Sequence, residues 1–149
     1  MTSTTTRGRR WEVALLASCC LLGAIGCERS PAPGAAKEPD PVARTEFTDR
    51  IENFFEYVPL VPGRASSFLI HLTDLADGSP VEKAEVTLTL RPSGAGAGAA
   101  MTTKAKVGRV TGIYVAELTA PAAGEYAIDF QVKNAKLDER MALTGFEAR

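Results

Sequence analysis

Residues 125–133, EYAIDFQVK, decide the fold. Tyr126, Ile128, Phe130 and Val132 alternate with Glu125, Ala127, Asp129, Gln131 and Lys133, so one face is apolar and the other mostly polar. Successive side chains of a strand project to opposite faces, and this alternation therefore predicts a half-buried strand. Working outward, AEVTLTL (84–90) repeats the pattern, with Val86, Leu88 and Leu90 on one face. SFLIHLTDL (67–75) sets Phe68, Ile70 and Leu72 against Leu69, His71 and Thr73, and its two partly apolar faces mark a central strand. GIYVAEL (112–118) is short and β-branched, and further strands are expected near 44–48, 51–58, 101–110 and 138–146.

Turn residues punctuate this series. VPG (61–63), ADGSP (76–80) and PAAGE (121–125) are turn signals, and no segment after residue 44 carries an apolar stripe at helical spacing. SGAGAGAA (93–100) is a loop and not a phosphate cradle, because no Gly-Lys-Ser/Thr follows it. Seven to eight short strands with regular turns predict an all-β, immunoglobulin-like antiparallel β-sandwich over residues 44–149. Its expected core is Phe68, Ile70, Leu72, Val86, Leu88, Leu90, Ile128, Phe130 and Val132.

Ahead of the strands lie two segments of different composition. Arg7, Arg9 and Arg10 precede an apolar run, VALLASCCLLGAI (13–25), which is shorter than the ~20 residues a membrane-spanning helix needs. The run ends in GAIGC (23–27), which resembles a bacterial lipobox with Cys27 as the lipidation site. Residues 1–26 are therefore expected to be a lipoprotein signal peptide, the alternative being an ordinary secretory signal cut nearby that leaves Cys27 as a free thiol. Residues 27–43 then hold the lipidated Cys27 and a Pro/Ala-rich tether, ERSPAPGAAKEPDPVA (28–43), with little that can pack. Acyl chains on Cys27 would hold the protein on the periplasmic face of a bacterial membrane without spanning it; inner and outer membrane both fit.

Composition and chemistry narrow the function. A formal net charge of −1 supplies no basic field for nucleic acid. Cys19 and Cys20 fall in the signal segment, so with Cys27 acylated there is no thiol left for a disulfide, a zinc site or a nucleophile. His71 is the only histidine. Asp74, three residues on, projects to the opposite face, and Asp77 belongs to a turn where Asp-Gly serves the backbone. His71 is expected to be a structural strand residue bonded to backbone or to a hydroxyl. Glu52 and Glu56 share one face of RIENFFEY (50–57), where a solvated face is the expected role and a hard-cation pair the alternative. No enzyme, cofactor or metal site is expected.

Three segments taken together carry a family resemblance. They are TDRIENFFEYVPLVPGRASSF (48–68), HLTDLADGSPVEKAEVTL (71–88) and GIYVAELTAPAAGEYAI (112–128). They resemble the N-terminal domain of periplasmic adaptor subunits of heavy-metal-type RND efflux systems, the membrane fusion protein family. The residues that carry the resemblance are His71, Leu72, Thr73, Asp77, Pro80, Gly112, Tyr114, Gly124 and Tyr126, all with an implied structural role. Such adaptors continue into a barrel-sandwich hybrid, a helical hairpin and a further barrel. These 149 residues carry none of those patterns, so the bridging role is not carried over. The chain is expected to be either a stand-alone relative of that domain or the front of an interrupted adaptor.

The resemblance implies a non-enzymatic periplasmic lipoprotein that meets proteins of an efflux assembly. Phe54, Phe55 and Tyr57, together with the edge near TTKAKVGRV (102–110), are the candidate partner surfaces, and for the three aromatics packing on the sandwich's own core is the preferred reading. The alternative is a stand-alone module that binds a metal ion or small ligand for delivery to the pump.

Overall fold

The structure, a computed structural model, describes residues 39–94 and 98–149. The expected signal peptide, Cys27 and most of the tether lie outside the described residues, as do residues 95–97 of the glycine-rich loop. The described residues form nine strands: β1 (Val42–Phe47), β2 (Ile51–Tyr57), β3 (Ala65–Asp74), β4 (Glu85–Pro92), β5 (Met101–Lys104), β6 (Lys106–Val107), β7 (Ile113–Thr119), β8 (Gly124–Lys133) and β9 (Asp138–Ala148). β1 starts at Val42, inside the stretch that composition assigned to the tether. The ninth strand arises because the 101–110 segment is divided. β5 pairs with β4, β6 pairs with β7, and the N–H of Ala105 between them donates to Val86 O at 2.8 Å.

The strands form two antiparallel sheets, in the orders β1-β2-β3-β7-β6 and β5-β4-β8-β9. β3 is interior to its sheet, as its two-faced apolar pattern requires. The sheets pack face to face around one core, where Phe55 of β2 meets Phe130 of β8 with ring centroids 5.0 Å apart. All nine expected core side chains are buried at 2% exposure or less. Fully burying each of the larger ones contributes about 1.5–3 kcal/mol.

Two local devices depart from simple alternation. In β9 the inward residues are Met141 and Leu143, then Phe146 and Ala148, so the parity changes between Leu143 and Phe146. A β-bulge opposite Ala127 supplies the extra residue, and Gly145 takes φ +81° there, a conformation costly to any residue with a Cβ. At the start of β8, the Tyr126 hydroxyl donates to Ala122 O at 2.8 Å and so fixes the β7–β8 corner.

The register fixes two ends. Val42, Tyr57, Phe68 and Ala116 lie in or beside one end of the five-stranded sheet, where the chain enters at β1. The β3–β4, β6–β7 and β8–β9 connections all lie at the other end.

Candidate functional site

The β3–β4 connection is held by its own side chains. The Asp74 carboxylate accepts the Ala76 N–H at 3.0 Å and the Asp77 carboxylate accepts the Ser79 N–H at 2.9 Å. Gly78, at φ +73°, lets the chain reverse, and its N–H donates to Asp74 O at 2.8 Å. Hydrogen bonding from Ser79, with a further contribution from the nearby Lys136 charge, holds the Asp77 carboxyl below the usual carboxylate value. Thr73 then meets Pro80 in an antiparallel bridge.

The returning chain is clamped by β7. Val81 N donates to Leu72 O, and Leu72 N donates to Gly112 O, both at 2.9 Å. Gly112 sits at φ +79°, and a Cβ there would stand 2.5 Å from the Pro80 Cβ. The Tyr114 hydroxyl, in a 1% exposed side chain, donates to Val81 O at 2.8 Å and accepts from Ala84 N at 3.1 Å. The structure thus brings Leu72, Thr73, Asp77, Pro80, Gly112 and Tyr114 together as one loop clamp. Gly124 and Tyr126 stand at the opposite end, in the β7–β8 corner.

His71 is not part of that clamp. It projects from the outer face of the five-stranded sheet, in a row with Thr45, Phe54 and Ile113. The Phe54 ring meets it edge-on at 5.3 Å. Its buried Nε2 has no hydrogen-bond partner among the described residues, so the expected bond to backbone or hydroxyl is not made by that nitrogen. Phe54, Leu69, His71, Ile113 and Val115 are all half-buried on this face, and Phe47 on the neighbouring edge strand is 63% exposed.

The aromatic trio weighed as a partner surface against core packing is divided by the same period of two. Phe55 is fully buried and Tyr57 packs partly buried against the core, while Phe54 faces outward. Glu52 and Glu56 share the outer face but straddle Phe54, about 13 Å apart along the strand. They form no carboxylate pair. Among the described residues no three His, Cys, Asp or Glu side chains cluster as a metal site would need.

A feature not foreseen lies at the loop end. A cleft of about 410 Å³ separates the β3–β4 and β8–β9 connections, and a second, of about 250 Å³, separates β3–β4 from the β6–β7 hairpin. Glu82 and Lys83 line both. Lys83 has φ +50°, alone among the described non-glycine residues in being positive. A left-handed conformation costs a residue with a Cβ about 1–2 kcal/mol. Asn134 ties the walls of the larger cleft, with Nδ2 donating to Glu82 O at 3.1 Å and Oδ1 accepting from Lys136 N and Leu137 N at 2.8 and 2.9 Å. Asn134 followed by Leu137 is a recognisable turn signal; nothing local in the sequence marks Lys83 as left-handed.

Residues 52–131, from β2 into β8, match the model of the family described as YtkA-like. Neither the curated proteins nor the solved structures give a match to the chain.

Proposed function

The chain belongs to the YtkA-like family, and we propose that it is a non-enzymatic, lipid-anchored module on the periplasmic face of a bacterial membrane, working by protein contact within an RND-type efflux system. The observation that carries this reading is the outer face of the five-stranded sheet. A row of half-buried side chains, apolar Phe54 and Ile113 flanking the imidazole of His71 with Leu69 and Val115 beside them, lies next to the exposed Phe47. Glu52 and Glu56 give it a charged margin. An apolar centre with a polar rim is the anatomy of a protein interface.

We read the sandwich as immunoglobulin-like. The order β2-β3-β7-β6 follows strands A-B-E-D of such domains, and β5-β4-β8-β9 follows C′-C-F-G, with β1 added at one edge. The Tyr126 hydroxyl, bonded four residues back at the start of β8, supports the same reading as a tyrosine corner. The resemblance to adaptor N-terminal domains supports the efflux setting, and the lipobox-like GAIGC supports acylation of Cys27.

The test is a photo-activated crosslinking residue at position 47 or 54 in membranes, with position 131, exposed on the outer face of β8, as control. The expected result is an efflux component captured from the first two positions and not from the third. Capture that is equal from all three, or none from 47 and 54, overturns the reading.

A further inference from the structure

We propose that the cleft between the β3–β4 and β8–β9 connections binds a small zwitterion carrying one carboxylate and one ammonium group, of amino-acid to dipeptide size. Its volume of about 410 Å³ falls in the range of about 300–1,000 Å³ typical of small-molecule sites. The walls carry two acids, Asp74 and Glu82, and two bases, Lys83 and Lys136. The base of the cleft is apolar, with Val81 at 3% and Leu137 at 4% exposure.

Balanced lining decides the ligand class. A simple anion would meet Asp74 and Glu82, and a simple cation would meet Lys83 and Lys136. None of the four forms a salt bridge among the described residues, Asp74 accepts only a backbone N–H, and Lys136 has the Asp77 carboxylate nearby but not in contact. Opposite charges that line one cleft without pairing leave both signs available to a ligand that bears both. The two walls are already joined through Asn134, so little ordering is needed on binding.

Lys83 supplies an independent observation. Its positive φ would be free of strain for glycine, yet the position holds a long cationic side chain between two clefts. Strained backbone persists where its surroundings over-determine it, as the Tyr114 bonds to Val81 and Ala84 do here, and ligand clamps are among the places where it collects. This inference is separate from the efflux reading, because it concerns the loop end and not the sheet face.

The experiment is amide chemical-shift titration of the full chain in detergent with the dipeptide Ala-Ala, its N-acetylated form and its C-amidated form. Ala-Ala is expected to give saturable shifts at residues 79–83 and 134–137, with each blocked form at least about 10-fold weaker. K83Q and E82Q are expected to weaken Ala-Ala binding to a similar degree. K83G is expected to lose binding while its melting temperature rises, which separates ligand contact from damage to the fold. No saturable shift up to about 10 mM, or equal responses to the free and blocked dipeptides, overturns the proposal. So does unchanged binding in K83G.

Discussion

The hydroxyl of Tyr114 in β7 donates to the carbonyl of Val81, 33 residues earlier in the chain, at 2.8 Å. The same oxygen accepts the Ala84 N–H at 3.1 Å, so one side chain serves a donor and an acceptor of the returning loop. Leaving buried backbone groups without partners costs about 1–3 kcal/mol. Tyr114→Phe should therefore lower stability by about that amount in urea denaturation and expose the Ala84 amide to hydrogen exchange. A change within a few tenths of a kcal/mol, with Ala84 still protected, would mean that the clamp is not held by this hydroxyl.

Gly112 and Gly78 make a paired test of where left-handed glycines matter. Both have φ near +75°, but a Cβ at Gly78 meets nothing within 4 Å, whereas at Gly112 it meets Pro80. Gly78→Ala should cost about 1–2 kcal/mol from backbone strain alone. Gly112→Ala should cost clearly more, because Pro80 is rigid and its strand bridge must shift. Equal losses in melting curves would show that the contact with Pro80 is easily relieved.

Asp129 links the outer face of the four-stranded sheet to acid stability. Burial would by itself raise its pKa. Hydrogen bonds and charge from Arg91 and Arg140, each at 2.8 Å from Oδ2, outweigh this and hold the carboxyl below its ordinary value. A folded pKa below the unfolded one gives stability that is full above the unfolded value, about 4, and lost as pH falls through the folded value. Both arginines are at least half exposed, so Asp129→Asn should cost about 1 kcal/mol at neutral pH. The gap to the parent protein should narrow below about pH 4. An undiminished gap in acid would remove Asp129 as its source.

Asn53 is a defect in the core from the standpoint of stability. It lies on the inward face of β2, is 0% exposed, and neither its Oδ1 nor its Nδ2 has a partner among the described residues. Replacement by an apolar side chain of similar size removes an uncompensated burial cost. Asn53→Leu is expected to stabilise the protein by about 1 kcal/mol, read as a higher urea midpoint with an unchanged slope. A loss of stability would show that the amide makes interactions worth more than its burial costs.

Much of the sandwich is legible along the chain because its signal is local. Tyr126, Ile128, Phe130 and Val132 announce both a strand and its buried face, and all four are buried. The same rule, applied to RIENFFEY, separates Phe54 from Phe55, so the grouping of three aromatics as one surface fails on periodicity alone. The parity change in β9 is harder to read, since a bulge at Gly145 is one residue in one strand and any glycine in a turn-like sequence carries the same signal.

From the sequence alone came the all-β class, most of the strands, the inward faces of β3, β4 and β8 and the turn residues, because each depends on neighbours within a few positions. What the tertiary structure alone decided is which of these meet. Gly112 presses against Pro80, Tyr114 reaches Val81, and Asn134 bridges to Glu82, 52 residues away. The loop-end cleft and the left-handed Lys83 on its wall exist only after those pairings form. A φ angle or a cleft is set by contacts between chain segments far apart in sequence, and no periodicity within one segment encodes it.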